Sequence, residues 1–184
     1  MKKMIISVLG KDRPGIIAAV TRILYELDCN IENVSQTILQ NEFSGIFIAG
    51  VPKTLSGSDL HRHLDDGLSP IGMHVYEKQL SEADDSSTAA QSEPFVVVTK
   101  GPDRKGLVAA ITAIMAAHRV NVTNLQAIFK GGDDPNANIM IYEVDIPTDT
   151  SHQALRRDLR EKALELSLDL SIQHKLIFEA INRV

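Results

Sequence analysis

The sequence predicts an α+β protein made of two copies of one βαββαβ unit, each an antiparallel sheet with two helices on one face. Three observations lead there. The chain repeats itself. Its apolar residues pass between strand and helix periods in the same order twice. An acidic stretch without a large apolar residue separates the two copies.

The repeat is read first because it fixes the organisation. With Gly10 placed over Gly101, Asp12, Arg13 and Gly15 fall on Asp103, Arg104 and Gly106. Ala18, Ala19, Thr21 and Ile23 fall on Ala109, Ala110, Thr112 and Ile114, and Asn30 and Asn33 fall on Asn121 and Asn124. Most other aligned positions exchange one aliphatic residue for another. Two copies make a duplication, not a solenoid. Residues 81–93 read as a flexible acidic linker, since they hold no apolar side chain whose burial would offset their ordering entropy. The expected domains are therefore residues 1–80 and 94–184.

Each copy opens with a β-rich run, residues 4–9 and 95–99, followed by a Gly/Asp turn. Ile16, Val20, Ile23, Leu24 and Leu27 then recur on one helix face, as Leu107, Ile111, Ile114 and Met115 do in the second copy. Pro14 suits a first-turn position, where its missing N–H is harmless. Asn30-Ile31 and Asn121-Val122 start the next strands. The first hairpin turns at Asn41-Glu42, the second at residues 131–136, a Gly/Asp/Pro/Asn cluster. Met140, Tyr142, Val144 and Ile146 alternate with polar or lesser apolar neighbours, as a half-buried strand requires. A second helix follows in each copy. It runs around Leu60 and Leu64, with Gly67 as its stop, and along Leu155, Leu159, Ala163 and Leu166, with Thr150 or Ser151 as N-cap. Closing strands are expected at residues 73–76 and 170–178. This order is that of the ferredoxin-like fold.

Composition narrows the function. The chain has 184 residues, a net charge of −5, and 4% aromatic residues with no tryptophan. A protein that grips phosphates carries a basic face and one that stacks on bases needs aromatics, so direct nucleic-acid binding is not expected. The single cysteine, Cys29, excludes an internal disulfide. No stretch approaches the ~20 apolar residues that span a bilayer, so no membrane role is expected and the cytoplasm is the default location. His61 and His63 are two apart on a helix and point to different faces, and the other histidines lack clustered partners, so no metal is expected. A serine elbow, a Walker loop and a marked carboxylate pair are all missing from the sequence. Neither catalytic residues nor a cofactor is expected, and the chain reads as a non-enzyme.

The segments Gly10-Lys11-Asp12-Arg13-Pro14-Gly15-Ile16 with Cys29-Asn30-Ile31, and Gly101-Pro102-Asp103-Arg104-Lys105-Gly106-Leu107 with Val120-Asn121-Val122, resemble the signature of ACT domains. The second copy departs at Lys105, where the family has proline. Two such units without a catalytic or DNA-binding module are similar to the glycine cleavage system repressor family. That resemblance implies a regulator that senses a small amino acid and acts on a protein partner, a DNA-binding transcription factor in that family.

The residues make such binding intelligible. A helix N-terminus favours a carboxylate, a glycine admits close approach, an aspartate accepts from an ammonium, and an asparagine donates and accepts. The expected contacts are Gly10, Asp12, Arg13, Pro14, Gly15, Asn30 and Asn33 in the first copy. Gly101, Asp103, Arg104, Gly106, Asn121 and Asn124 are their counterparts in the second. The competing reading gives Asp12 a capping role and the glycines a packing role, with the pair of units serving only protein–protein association. A homodimer is expected on either reading.

Overall fold

The computed structural model describes residues 1–80, 91–129 and 138–182. The chain divides into two compact units, Met1–Ser87 and Thr88–Val184. The first comprises β1 (Lys2–Lys11), α1 (Ile16–Glu26), β2 (Asn30–Leu39), β3 (Glu42–Val51), α2 (Gly57–Leu68), a short 3-10 turn (Ser69–Ile71) and β4 (Met73–Gln79). The second comprises β5 (Ser92–Gly101), α3 (Leu107–Ala117), β6 (Asn121–Phe129), β7 (Asn138–Pro147), α4 (His152–Glu165), β8 (Asp169–His174) and α5 (Lys175–Asn182). The sheets have the orders β2-β3-β1-β4 and β6-β7-β5-β8, with every pairing antiparallel.

Strand alternation explains the cores. In β1, Met4, Ile6 and Val8 face the helices, and on the same face β3 offers Phe43, Phe47, Ala49 and Val51. Onto this layer α1 sets Ile16, Val20 and Leu24, and α2 sets Leu60, Leu64 and Leu68. The second unit repeats the scheme with Phe95 and Val97, Tyr142 and Val144, and the buried faces of α3 and α4. The other face of the first sheet leaves Leu9, Ile46 and Tyr76 exposed. On the second sheet that face carries α5, which packs on β5 and β8. There Val96, which alternates away from the core, is nonetheless buried.

Three local expectations are corrected and a fourth is narrowed. Gly67 does not stop α2, which runs on to Leu68; Gly72, at φ 78°, turns the chain after the 3-10 turn. Gly67 instead admits Ile23 of α1, whose Cδ1 would lie 2.6 Å from an added Cβ. Pro14 precedes the helix, because Gly15 is the N-cap of α1 and Ile16 its first residue. The closing strand of the second copy ends at His174, opposite Phe95, and the chain turns into α5. Of the two N-cap candidates, Ser151 accepts from Ala154 N–H, while Thr150 donates to the His118 carbonyl. The expected turn at 131–136 and residues 81–90 of the expected linker lie outside the described residues; Ser92 and Glu93 already pair in β5.

Candidate functional site

The turn between β1 and α1 is held at both ends. Gly10 lies beside the 3-10 turn, where a Cβ would stand 2.5 Å from the Gly72 carbonyl oxygen and 2.9 Å from Met73 Sδ. Its counterpart Gly101 meets the Ser167 carbonyl oxygen at 2.8 Å in the same sense. These two glycines therefore serve close packing. Beyond Gly10, Asp12 N–H donates to the Asn41 carbonyl at 2.7 Å and ties the turn to the β2–β3 hairpin.

Gly15 and Gly106 have a different reason to be glycine. They cap α1 and α3 at φ 97° and 88°, in the left-handed region, and nothing lies within 4 Å of where a Cβ would stand. Neither cap supplies a side-chain hydrogen bond to the first helical turn. Each helix start is therefore without a side-chain cap and lies close in sequence to an exposed aspartate, Asp12 or Asp103. A helix start of this kind attracts an anion through the helix dipole and its free donors.

In the first copy this turn forms one wall of an open cleft of about 470 Å³, within the size range of small-molecule sites. Asp12, Arg13 and Gly15 line it from the turn, Ile16, Ile17 and Ala18 from α1, and Gln36, Ile38 and Phe43 from the hairpin. Sequence reasoning missed the hairpin residues. The available signal was the placement of β2 as an edge strand: Ile38 sits on its helix side, paired with Phe43, yet remains 49% exposed.

In the second copy the residue paired with Gly101 is Asn138, as Phe43 is paired with Gly10. Asn138 is 7% exposed. Its Nδ2 donates to Asp103 Oδ1 at 3.3 Å, and its Oδ1 is buried with no hydrogen-bond partner among the described residues. An unpaired buried acceptor of this sort is worth about 1–3 kcal/mol against the fold.

The asparagines do not join either turn. Asn30 lies opposite Gly50, which pairs with Lys3, seven residues along β1 from Gly10. Asn121 lies opposite Asp145, which pairs with Pro94, again seven residues from Gly101. At the rise of a strand that is about 23 Å, too far for one amino acid to touch both. Helix α1 causes this: it runs back along β1 and delivers the chain to the far end. Asn33 and Asn124 follow a bulge at that same end. Asn124 Nδ2 donates to Glu143 Oε1 at 3.0 Å, and Glu143 also pairs with Lys175 of α5 at 2.6 Å. The Lys175 hydrogen bond, then that of Asn124, holds the Glu143 carboxyl below the usual range, and Glu143 in turn raises Lys175.

With this geometry in view, comparison with known proteins is decisive for the family. The ACT domain pattern matches residues 2–75 and 93–173. The chain belongs to the ACT domain family. A UPF0237 protein of Pyrobaculum aerophilum is 37% identical over 76 residues, 41% of this chain and 84% of that protein. One of Corynebacterium glutamicum is 49% identical over 51 residues, 28% of this chain and 57% of its own length. Among solved structures, a protein of unknown role from Galdieria sulphuraria aligns with a TM-score of 0.76 at 20% identity, covering 94% of this chain and 98% of that one. A protein assigned as a glycine cleavage system transcriptional repressor aligns with a TM-score of 0.64 at 19% identity, covering 94% and 96%. At these identities the two structures share the tandem fold with this ACT protein.

Proposed function

We propose that this chain is an amino-acid-binding regulatory protein that works by binding and not by catalysis. The observation that carries the reading is the duplicated turn, where a glycine cap, a helix start without a side-chain cap and an aspartate lie close in sequence. A zwitterion has a carboxylate for the helix start and an ammonium for Asp12 or Asp103. The ligand contacts in this reading are Asp12, Arg13 and Gly15 with the cleft lining, and Asp103, Arg104 and Gly106 in the second copy. The resemblance to the glycine cleavage repressor supports action on a protein partner, a transcription factor; the cytoplasm is the default location, and exposed sheet edges and helix faces support a homodimer. Binding at the turn would bias which association state is populated, the physical content of a switch.

The test is a thermal-shift screen of the common amino acids, followed by calorimetry on each hit. A ligand specific to the folded state raises stability by roughly 2.7 kcal/mol at a hundredfold excess over Kd. A selective shift that Asp12→Ala weakens supports the reading. Flat melting curves across the set favour the second reading, an association module without ligand, which the exposed Leu9, Ile46 and Tyr76 of the first sheet favour.

A further inference from the structure

The two turns share their main-chain machinery and differ in what lies beneath it. Both offer a left-handed glycine cap, an uncapped helix start and an aspartate. Under the first lies the Phe43 ring, with Ile38 and Ile17 on the cleft walls. At the same register position under the second lies Asn138. Its amide is oriented by Asp103: turned over, Oδ1 would face a carboxylate, so Nδ2 takes that side and Oδ1 is left without a donor among the described residues.

We infer that the two copies select ligands of different side-chain class, the first an aliphatic amino acid and the second one whose side chain donates a hydrogen bond. The inference rests on the amino-acid-binding reading and adds what each turn accepts. The shared aspartate and helix start read the ammonium and carboxylate, which all amino acids have. The residue beneath reads the side chain. An aliphatic group against Phe43 removes apolar surface from water, while a hydroxyl or amide there would lose its water partners. Beside Asn138 the preference reverses, because a hydroxyl or amide donor satisfies the orphaned acceptor and a methyl group leaves it unpaired.

The test titrates the full-length chain with leucine and with threonine, reading the amide resonances of Gly15 and Gly106 as separate reporters. Leucine is expected to move Gly15 at the lower concentration and threonine to move Gly106, each preference being roughly tenfold or more. Asn138→Leu should abolish the threonine preference at Gly106 and leave Gly15 unchanged. Asn138→Ser, smaller and still polar, should retain that preference and serves if the leucine variant does not fold. Equal affinities of the two ligands at both reporters overturn the inference while leaving the sensing reading intact, as does an Asn138→Leu variant with unchanged preference. If no amino acid moves either glycine, the sensing reading falls and this inference with it.

Discussion

At the scale of single residues, the glycines divide by mechanism, and each mechanism has its own expected outcome. Gly15→Ala and Gly106→Ala place a Cβ in the left-handed region, where it meets no neighbour but strains the backbone by about 1–2 kcal/mol. Gly10→Ala and Gly101→Ala strike backbone carbonyl oxygens that cannot step aside, an overpacking of about 1–3 kcal/mol. Urea denaturation separates them from a neutral surface change; unaltered midpoints would refute both accounts. Glu143 gives a pH dependence. Its folded pKa is depressed by Lys175 and Asn124, so the stabilisation is complete above the unfolded value of about 4.3 and disappears as pH falls through the folded value. Glu143→Gln should therefore lower stability at pH 7 and flatten the acid limb of a stability–pH curve. A variant with the same acid limb as the parent would show that the cluster contributes nothing.

At the scale of elements, α5 is the piece without a counterpart among the described residues of the first unit. Removing residues 175–184 uncovers Val96 and breaks the Lys175–Glu143 pair. The expected loss is roughly 1.5–3 kcal/mol, the burial of one valine, read as a lowered denaturation midpoint for the shortened chain. This helix was not legible in advance, because Leu170, Ile172 and the apolar residues after His174 form one continuous β-like run. What ends the strand is tertiary: β8 stops opposite Phe95, one residue before Pro94, which has no N–H to offer the ladder. By contrast α1 and α3 were legible, since buried residues four apart, Ile16, Val20 and Leu24 or Leu107, Ile111 and Met115, declare a single face. The cap role of Gly15 and Gly106 was not legible: the sequence offered them as ligand or packing residues, and the left-handed φ that requires glycine shows only in the backbone. Nor was the hairpin half of the cleft legible. Phe43 and Asn138 occupy the same place only through strand register, and the four-residue longer hairpin of the second copy hides that equivalence from a gapless alignment. The asparagines failed for the opposite reason: their matching spacing from the turn was real, but it measured a journey back along the sheet.

For the whole molecule, the proposed reading of two turns of common design predicts two sites per chain. Calorimetry with a ligand accepted by both should give a stoichiometry of two, falling to one in Asp12→Ala or in Asp103→Ala and to none in the double variant. A stoichiometry that either single variant leaves at two would place the sites elsewhere. The covering of one sheet by α5 has a further effect on assembly. Two bare apolar sheet faces would give each molecule two adhesive ends, and stacking through them would have no natural terminus. Val96, on that covered face of the second sheet, is buried, whereas Leu9, Leu39, Ile46 and Tyr76 stay exposed on the open face of the first. On the proposed homodimer reading, a single self-complementary face would close the association as a pair and not extend it into a filament.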